Sequence, residues 1–282
     1  MTISDANAAV EEERVWPQHQ AALTLLQDRI AQPGGEEIHW LDLACGRGQI
    51  LRSLNEQLSD VARARIHYVG YDISNSYGME TKRSAEQLGL ASVRVEIGDL
   101  SNFDALLPSE ERFEFLTITN AAHELNARAL APLLVGAIAR LTSDGSMYAY
   151  DLEELHPPEL GALPWERDAV ALLLDRALGG LGESGYRPEV GRWRHKSTAG
   201  WSFALKRVHI DVSDAELGDH RSQAEAEVVD GIDEMLTTRL KSCAAALEGL
   251  TRYGASTSEE VRVRDKLLYE YWALHRAIGE TQ

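Results

Sequence analysis

Trp40-Leu41-Asp42-Leu43-Ala44-Cys45-Gly46-Arg47-Gly48 is the stretch whose reading decides the fold. The apolar run Ile38 to Leu43 has the length and composition of a buried strand. It passes into a turn of small residues, where the backbone can bend tightly and a ligand can approach closely. The residues from about Gln49 to Leu58 then read as a helix. Outward from this strand–turn–helix unit the pattern repeats. Strands are predicted at Ile66–Tyr71, Val93–Ile97, Phe113–Thr119 and Ser146–Tyr150. Helices are predicted at about Gly78–Leu88 and Ala127–Leu141, with a turn at Ser143-Asp144-Gly145. Short apolar strands alternating with helices indicate a parallel sheet covered on both faces.

The flanks read differently. Upstream, Asn7 to Ala31 is helical in pattern, with Ala22, Leu25, Leu26 and Ile30 on one face, and Pro33-Gly34-Gly35 stops it. Downstream come a Pro-rich loop (His156 to Pro164), a helix at about Trp165–Leu178 and a Gly-rich turn. Two strands follow, around Arg192–Ser197 and Ser202–Ile210, joined at Ala199-Gly200 as an antiparallel hairpin at a sheet edge. Ser213-x-x-Glu216 has the form of a capping box opening a long helix that carries Val229, Ile232, Leu236, Leu240, Cys243, Leu247 and Leu250. Tyr253-Gly254 ends that helix. Ser256-x-x-Glu259 can cap a second, with Val263, Leu267, Tyr271, Leu274 and Ile278. A two-helix hairpin cannot bury its apolar stripes alone, so it either packs on the sheet domain or pairs with another chain. The expected organisation is a helical cap over residues 1–35, a sheet domain over 36–211 and a helical hairpin over 212–282.

Bulk properties narrow the function classes. The chain has 282 residues, 44% of them hydrophobic, which suffices for a sizeable core. No apolar run approaches the length of a membrane span, and the polar, acidic start lacks the pattern of a secretory signal. With two cysteines, Cys45 and Cys243, a reducing cytoplasm is the expected location. A net charge of −17 repels phosphate backbones and argues against a general nucleic-acid binder. The small cluster Arg192, Arg194, His195 and Lys196 around Trp193 reads as a solvated loop or edge strand.

Ligands of open parallel sheets sit beyond the carboxyl ends of the strands. Three segments place suitable groups there. After the first strand, Asp42 stands beside the Ala44–Gly48 turn. A dinucleotide pyrophosphate would want backbone N–H donors and a helix N-terminus, whereas a carboxylate favours a cationic ligand such as a sulfonium or ammonium. Ile50 and Leu51 stand where the dinucleotide fingerprint continues to its third glycine, which argues against a nicotinamide cofactor. After the second strand, Asp72 can accept hydrogen bonds from ribose hydroxyls. After the third, Asp99 can accept from an adenine amine while Leu100 packs on the ring. Each feature alone is compatible with a turn or a helix cap. Their succession at three strand ends is what points to a nucleoside ligand.

In these residues the sequence resembles the class I S-adenosylmethionine (SAM)-dependent methyltransferases, whose first motif reads acidic-x-Gly-x-Gly-x-Gly. Ala44 replaces the first glycine here, Asp72 matches the acidic residue after the second strand, and Asp99 matches the aspartate after the third. The resemblance covers about residues 36 to 155. The strand–helix–hairpin continuation to about 210 also fits. It implies a Rossmann-like seven-stranded, mostly parallel sheet with helices on both faces. It implies SAM as cofactor, with Asp42, Ala44, Gly46, Gly48, Asp72, Ile73, Asp99, Leu100 and Asn120 as contacts. It also implies a helical N-terminal cap. The two C-terminal helices lie outside the common core and are a possible dimerisation element.

Methyl transfer is an in-line displacement that chiefly requires alignment, with a base only where the acceptor must lose a proton. The segment Asn120-Ala121-Ala122-His123-Glu124 after the fourth strand is the expected reaction site. His123 is a candidate base with Glu124 to orient it; alternatively the pair caps the next helix and walls the pocket. The carboxylates of Asp151-Leu152-Glu153-Glu154 after the fifth strand can hold a cationic acceptor or a metal ion, or be hydrated loop groups, and no metal ligands are assigned. The Asn/Asp-Pro-Pro-aromatic tetrapeptide of amino-methyltransferases is absent after the fourth strand. Cys45 reads as a small packing residue. Trp16, Trp165, Trp193 and Trp201 can line an acceptor pocket or fill the core. The expected function is methyl transfer to a small molecule or protein rather than nucleic acid. The competing reading is a SAM- or S-adenosylhomocysteine-binding module without transfer activity, acting through its helical tail.

Overall fold

The computed structural model describes residues 17–32, 37–155, 159, 161–183, 185–195, 198–254 and 257–279. The predicted helical stretch before Pro17, Trp16, the Pro33–Gly35 stop, Ser256 and Lys196 lie outside the described residues. The chain begins with α1 (Pro17–Ile30) and β1 (Ile38–Leu43). Three short helices follow, α2 (Gln49–Arg52), α3 (Leu54–Gln57) and α4 (Asp60–Arg63). Next come β2 (Ile66–Asp72), α5 (Asn75–Gln87), β3 (Ser92–Ile97), α6 (Phe103–Leu106), β4 (Phe113–Thr119), α7 (Leu130–Ala139) and β5 (Leu141–Leu152). The last elements are α8 (Arg167–Gly180), β6 (Val190–His195), β7 (Thr198–Lys206), α9 (Asp214–Tyr253) and α10 (Ser258–Gly279).

The seven strands form one sheet in the order β3-β2-β1-β4-β5-β7-β6. The first five are parallel, and β7 runs antiparallel to both β5 and β6. This is the Rossmann-like α/β architecture expected from the alternating pattern. The central strands β1, β2 and β4 are largely buried on both sides because helices cover both faces, whereas the edge strand β3 is not. Side chains alternate between two cores accordingly. Leu41, Leu43, Val69, Tyr71, Leu116, Ile118, Met147 and Ala149 join the larger core with α7, α8 and α9. Ile38, Trp40, Ile66, Tyr68, Phe115, Tyr148 and Tyr150 join a second core with Ala22, Leu23 and Leu26 of α1.

Three expected boundaries are corrected. The helix placed at Gln49–Leu58 is two short turns separated by Ser53. Residues 143–145 are not a turn before the fifth strand. They lie within β5, where the register against β4 slips between Phe113↔Leu141 and Phe115↔Ser146, and Thr142 Oγ1 lies 3.4 Å from the Phe113 carbonyl. The extra residues are taken up as a bulge, so the chain stays on the sheet. Ala199 and Gly200 do not join the hairpin either, because both are paired within β7. Gly200 sits opposite Trp193 and Leu152, so close that a Cβ there would overlap the Asp151 carbonyl oxygen. Gly200 thus serves a close strand approach rather than a turn.

The C-terminal hairpin forms as expected. Ser213 and Glu216 make the capping box of α9. The corresponding box of α10 is built one residue later than predicted, with Thr257 Oγ1 accepting from the Glu260 amide and Glu260 accepting from the Thr257 amide. The two helices are antiparallel, with Arg239 paired to Glu270 and Cys243 Sγ directed at the Leu267 carbonyl. Leu217, Ala224, Val228, Ile232, Leu236 and Cys243 of α9 are buried in the same core as the sheet. The apolar stripe of α9 is therefore covered within the chain.

Candidate active site

The strand order reverses direction between β1 and β4, and this switch point is where ligands of open α/β sheets bind. Two non-glycine residues have positive φ among the described residues, Ala44 at 58° and Asn120 at 55°. They end β1 and β4, one on each side of the switch point. A left-handed conformation costs an L-residue about 1–2 kcal/mol, and such strain clusters at functional sites. Gly46 (φ 54°) and Gly48 (φ 74°) complete the turn at lower cost. Neighbouring strand ends hold it in place: Cys45 N donates to Tyr71 O at 3.0 Å and Thr81 Oγ1 to Gly46 O at 2.8 Å. Across the switch, Asn120 N donates to Tyr150 O at 3.0 Å.

Asp42 is buried beneath this turn rather than on its surface. Thr117 Oγ1 donates to one carboxylate oxygen at 2.6 Å, and Tyr68 Oη to the other at 2.8 Å. Trp40 Nε1 in turn donates to Thr117 Oγ1. Register accounts for the cluster, since Thr117 is the β4 partner of Asp42 and Tyr68 the β2 partner of Trp40. Burial pushes the Asp42 carboxyl up to about 6, the two hydroxyl donors oppose this, and the Asp72 charge adds to it. Tyr68 and Thr117 were not picked out from the sequence. The available signal was their position on the same face of adjacent strands as Asp42.

Asp72 ends β2 and ties two segments together. One oxygen accepts from Gly46 N and the other from Ser74 N, both at 2.8 Å. Burial raises this carboxyl while the backbone donors lower it, with the net shift upward. Ile73 beside it is 72% exposed. Asp99 ends β3 and accepts from Ser101 N (2.9 Å) and Ser101 Oγ (2.7 Å), which caps a 3-10 turn beginning at the buried Leu100. The structure thus brings Asp42, Ala44, Gly46, Gly48, Asp72, Ile73, Asp99, Leu100 and Asn120 to the carboxyl ends of four strands.

The second group lies beyond β4 and β5. His123 is 1% exposed and sits in a 3-10 turn, Ala122–Glu124. Its orienting partner is Asp151, at the end of β5, rather than Glu124. Asp151 accepts from the His123 amide at 2.9 Å and from Nδ1 at 2.6 Å. Nδ1 is thus turned onto Asp151, and Nε2 faces the other way. There Nε2 meets Glu159 Oε2 at 3.5 Å and Glu124 Oε1 at 3.8 Å. Burial pulls the imidazole down, but Asp151, with Glu159 and Glu124 further off, outweighs it and holds the ring above its ordinary range. Burial raises the Glu124 carboxyl. Sequence reading missed Asp151 as the partner of His123 and missed Glu159 entirely, because the latter sits in a loop with no periodic signal. Trp165 and Trp201 are buried core residues, and Trp193 packs against Tyr150 on the second face.

Residues 35–159, somewhat under half of the chain, match a family model described as a methyltransferase domain. The architecture around that stretch is a Rossmann-like methyltransferase fold. Among solved structures, the fold resembles the CurJ carbon methyltransferase (TM-score 0.51, 10% identity, covering 67% of this chain and 54% of that one). It also resembles 1,6-didemethyltoxoflavin-N1-methyltransferase of Burkholderia thailandensis, determined with 1,6-didemethyltoxoflavin and S-adenosylhomocysteine (0.50, 19%, 72% and 81%). A third similar structure is magnesium protoporphyrin IX methyltransferase of Synechocystis PCC 6803 with bound S-adenosylhomocysteine (0.48, 13%, 67% and 82%). No curated protein matches the chain. Among the described residues no helix is long and apolar enough to cross a membrane.

Proposed function

We propose that the chain is a SAM-dependent methyltransferase whose acceptor is a small molecule or a protein. The observation that carries this reading is the pair of left-handed residues, Ala44 and Asn120, at the carboxyl ends of the adjacent strands β1 and β4 where the strand order reverses. Strain of this kind persists only where the surroundings enforce it, and here both strained residues sit at the carboxyl ends of adjacent, paired strands.

The residues fit SAM. Asp42 supplies negative charge under the turn, suited to the amino and sulfonium groups. Asp72 keeps unused lone pairs on both oxygens for the ribose hydroxyls. The open side chain of Ile73 and the buried Leu100 can sandwich an adenine, with Asp99 near its amine. SAM supplies a methyl group already activated on a sulfonium, so the protein's work is alignment and proton handling. Asn120 borders the cofactor side of the crevice, and His123 and Glu124 follow it on the acceptor side. Asp151 fixes the His123 ring so that Nε2 and the Glu124 and Glu159 carboxylates form one polar wall. With the ring held above its ordinary range, the carboxylates are the members of this wall that can receive a proton from a hydroxyl or ammonium acceptor. The net charge of −17 favours an acceptor other than nucleic acid.

The test is incubation of the full chain with SAM tritiated on the methyl group, alongside metabolite, protein and nucleic-acid fractions of a cell extract. Label in the metabolite or protein fraction is expected. Binding of S-adenosylhomocysteine without any transfer would favour the binding-module reading, and label confined to nucleic acid would contradict the acceptor assignment.

A further inference from the structure

The polar wall at the ends of β4 and β5 also has the donor set of a metal site. His123 Nε2 is a buried atom with no hydrogen-bond partner, on a side chain that is 1% exposed. A buried nitrogen without a hydrogen bond calls for a physical reason. This one is aimed at two carboxylates that come from different segments. Glu124 follows β4 and Glu159 lies in the β5–α8 connection. The three ligand-capable atoms lie within 4.8 Å of one another.

We propose that His123 Nε2, Glu124 and Glu159 form a site for one divalent first-row transition ion of the Zn2+ type, with its remaining coordination positions open toward the acceptor crevice. The spacing fits. An ion with bonds of about 2.1 Å in tetrahedral geometry holds its ligands about 3.4 Å apart, against the observed 3.5 and 3.8 Å. The ring is prepared for the role, because Asp151 on Nδ1 fixes both tautomer and orientation, as carboxylates behind metal-bound histidines do. The backbone on both sides of the group is held as well. The Tyr269 hydroxyl of α10 donates to the Glu159 carbonyl, and Leu163 N donates to the His123 carbonyl at 2.7 Å. The two carboxylates together carry more negative charge than one imidazolium balances, and a divalent ion displacing the Nε2 proton would offset both. One imidazole with two carboxylates suits zinc, cobalt or manganese. Magnesium favours all-oxygen sites and sheds water reluctantly.

The position beside the crevice rests on the reading of this end of the sheet as the acceptor side. The ion site itself does not, and the two are measured separately. A second possible group, Glu37, His39 and His67, lies on β1, β2 and the residue before β1 and is more exposed. The experiment therefore uses the full chain carrying His67→Gln, freed of metal by chelator. It is titrated with CoCl2, read by visible absorption, and with ZnCl2, read by calorimetry. One saturable site is expected, with affinity reduced about tenfold or more in Glu159→Gln and in Glu124→Gln, and with no displacement by millimolar MgCl2. Both glutamates are partly exposed, so these variants should fold, and unchanged melting would verify it. S-adenosylhomocysteine affinity of the metal-free Glu159→Gln variant should equal that of its parent. Failure of the parent to bind S-adenosylhomocysteine would count against the cofactor reading alone. Absence of saturable Co2+ and Zn2+ binding, or an affinity in both Gln variants equal to that of the parent, would overturn the metal site.

Discussion

At the scale of single residues, the site rests on side chains placed where they are energetically expensive. Ala44 accepts a left-handed backbone that glycine would adopt more easily. Ala44→Gly should therefore leave stability unchanged or raise it slightly. Ala44→Val should lower it by about 1–3 kcal/mol, because a β-branched residue tolerates positive φ poorly; denaturant melts of the two variants check this. Asp42 is the second case. Its folded pKa, about 6, lies above the ordinary value of 3.8. The folded state therefore binds the proton more tightly than the unfolded chain. Ionising Asp42 costs stability as pH rises from about 4 to 6, and the cost is constant above that window. Asp42→Asn has no such titration. As pH rises from 4 to 7, the variant should therefore gain on the wild type by about 1–3 kcal/mol in unfolding free energy. A difference that stays constant with pH would mean that Asp42 is not held as the structure places it. His123 shows the limit of residue-level reading. Its candidacy was visible from its place after β4. Its orientation was not, because the residue that turns the ring, Asp151, is 28 positions away and becomes adjacent only through the β4–β5 pairing.

Among elements, the parallel strands were legible because each is a short apolar run flanked by turn residues, and because both faces are covered the runs are continuous. Boundaries failed where tertiary contacts overrode local signals. Ser143-Asp144-Gly145 has turn composition yet remains in β5, since the bulge keeps it against β4. Gly200 has turn composition yet lies within β7, where the Asp151 carbonyl and the Trp193 ring leave no room for a Cβ. A similar close approach joins α8 and α9. A Cβ on Gly180 would stand 2.5 Å from the Ala224 backbone. Both helix backbones are involved, so the contact cannot be relieved by a side-chain rotation. Gly180→Ala should push the helices apart and cost about 1–3 kcal/mol, in the manner of other overpacked interiors. A denaturation midpoint equal to that of the wild type would show that α9 is not seated as described.

For the molecule as a whole, the sheet domain and the C-terminal hairpin share one core. Besides the apolar stripe of α9, Asp104 accepts from Arg140 and from Arg221 of α9, and Arg128 pairs with Asp233. On the other helix, Lys266 pairs with Glu154, and Ala273, Leu274 and Ala277 are buried. The hairpin was readable as two amphipathic helices, whereas the surface that covers it depends on α7 and α8 and could not be read from its own periodicity. Tyr269 also ties α10 to the Glu159 carbonyl in the β5–α8 connection. A chain ending at Tyr253 should melt well below the full chain. At about 2–4 °C per kcal/mol for a domain of this size, loss of a few kcal/mol lowers the midpoint by on the order of 10 °C. An unchanged midpoint would make α10 an independent appendage.

The central claim is that the turn after β1 and the aspartate after β2 hold a SAM nucleoside. Calorimetric titration of S-adenosylhomocysteine into the full chain and into Asp72→Ala tests it most directly. One saturable site is predicted for the wild type, with affinity lower in the variant by about 1–3 kcal/mol, roughly 5- to 150-fold, for the lost charged hydrogen bonds. Absence of saturable binding to the wild type, or equal affinity in the two proteins, would contradict the account.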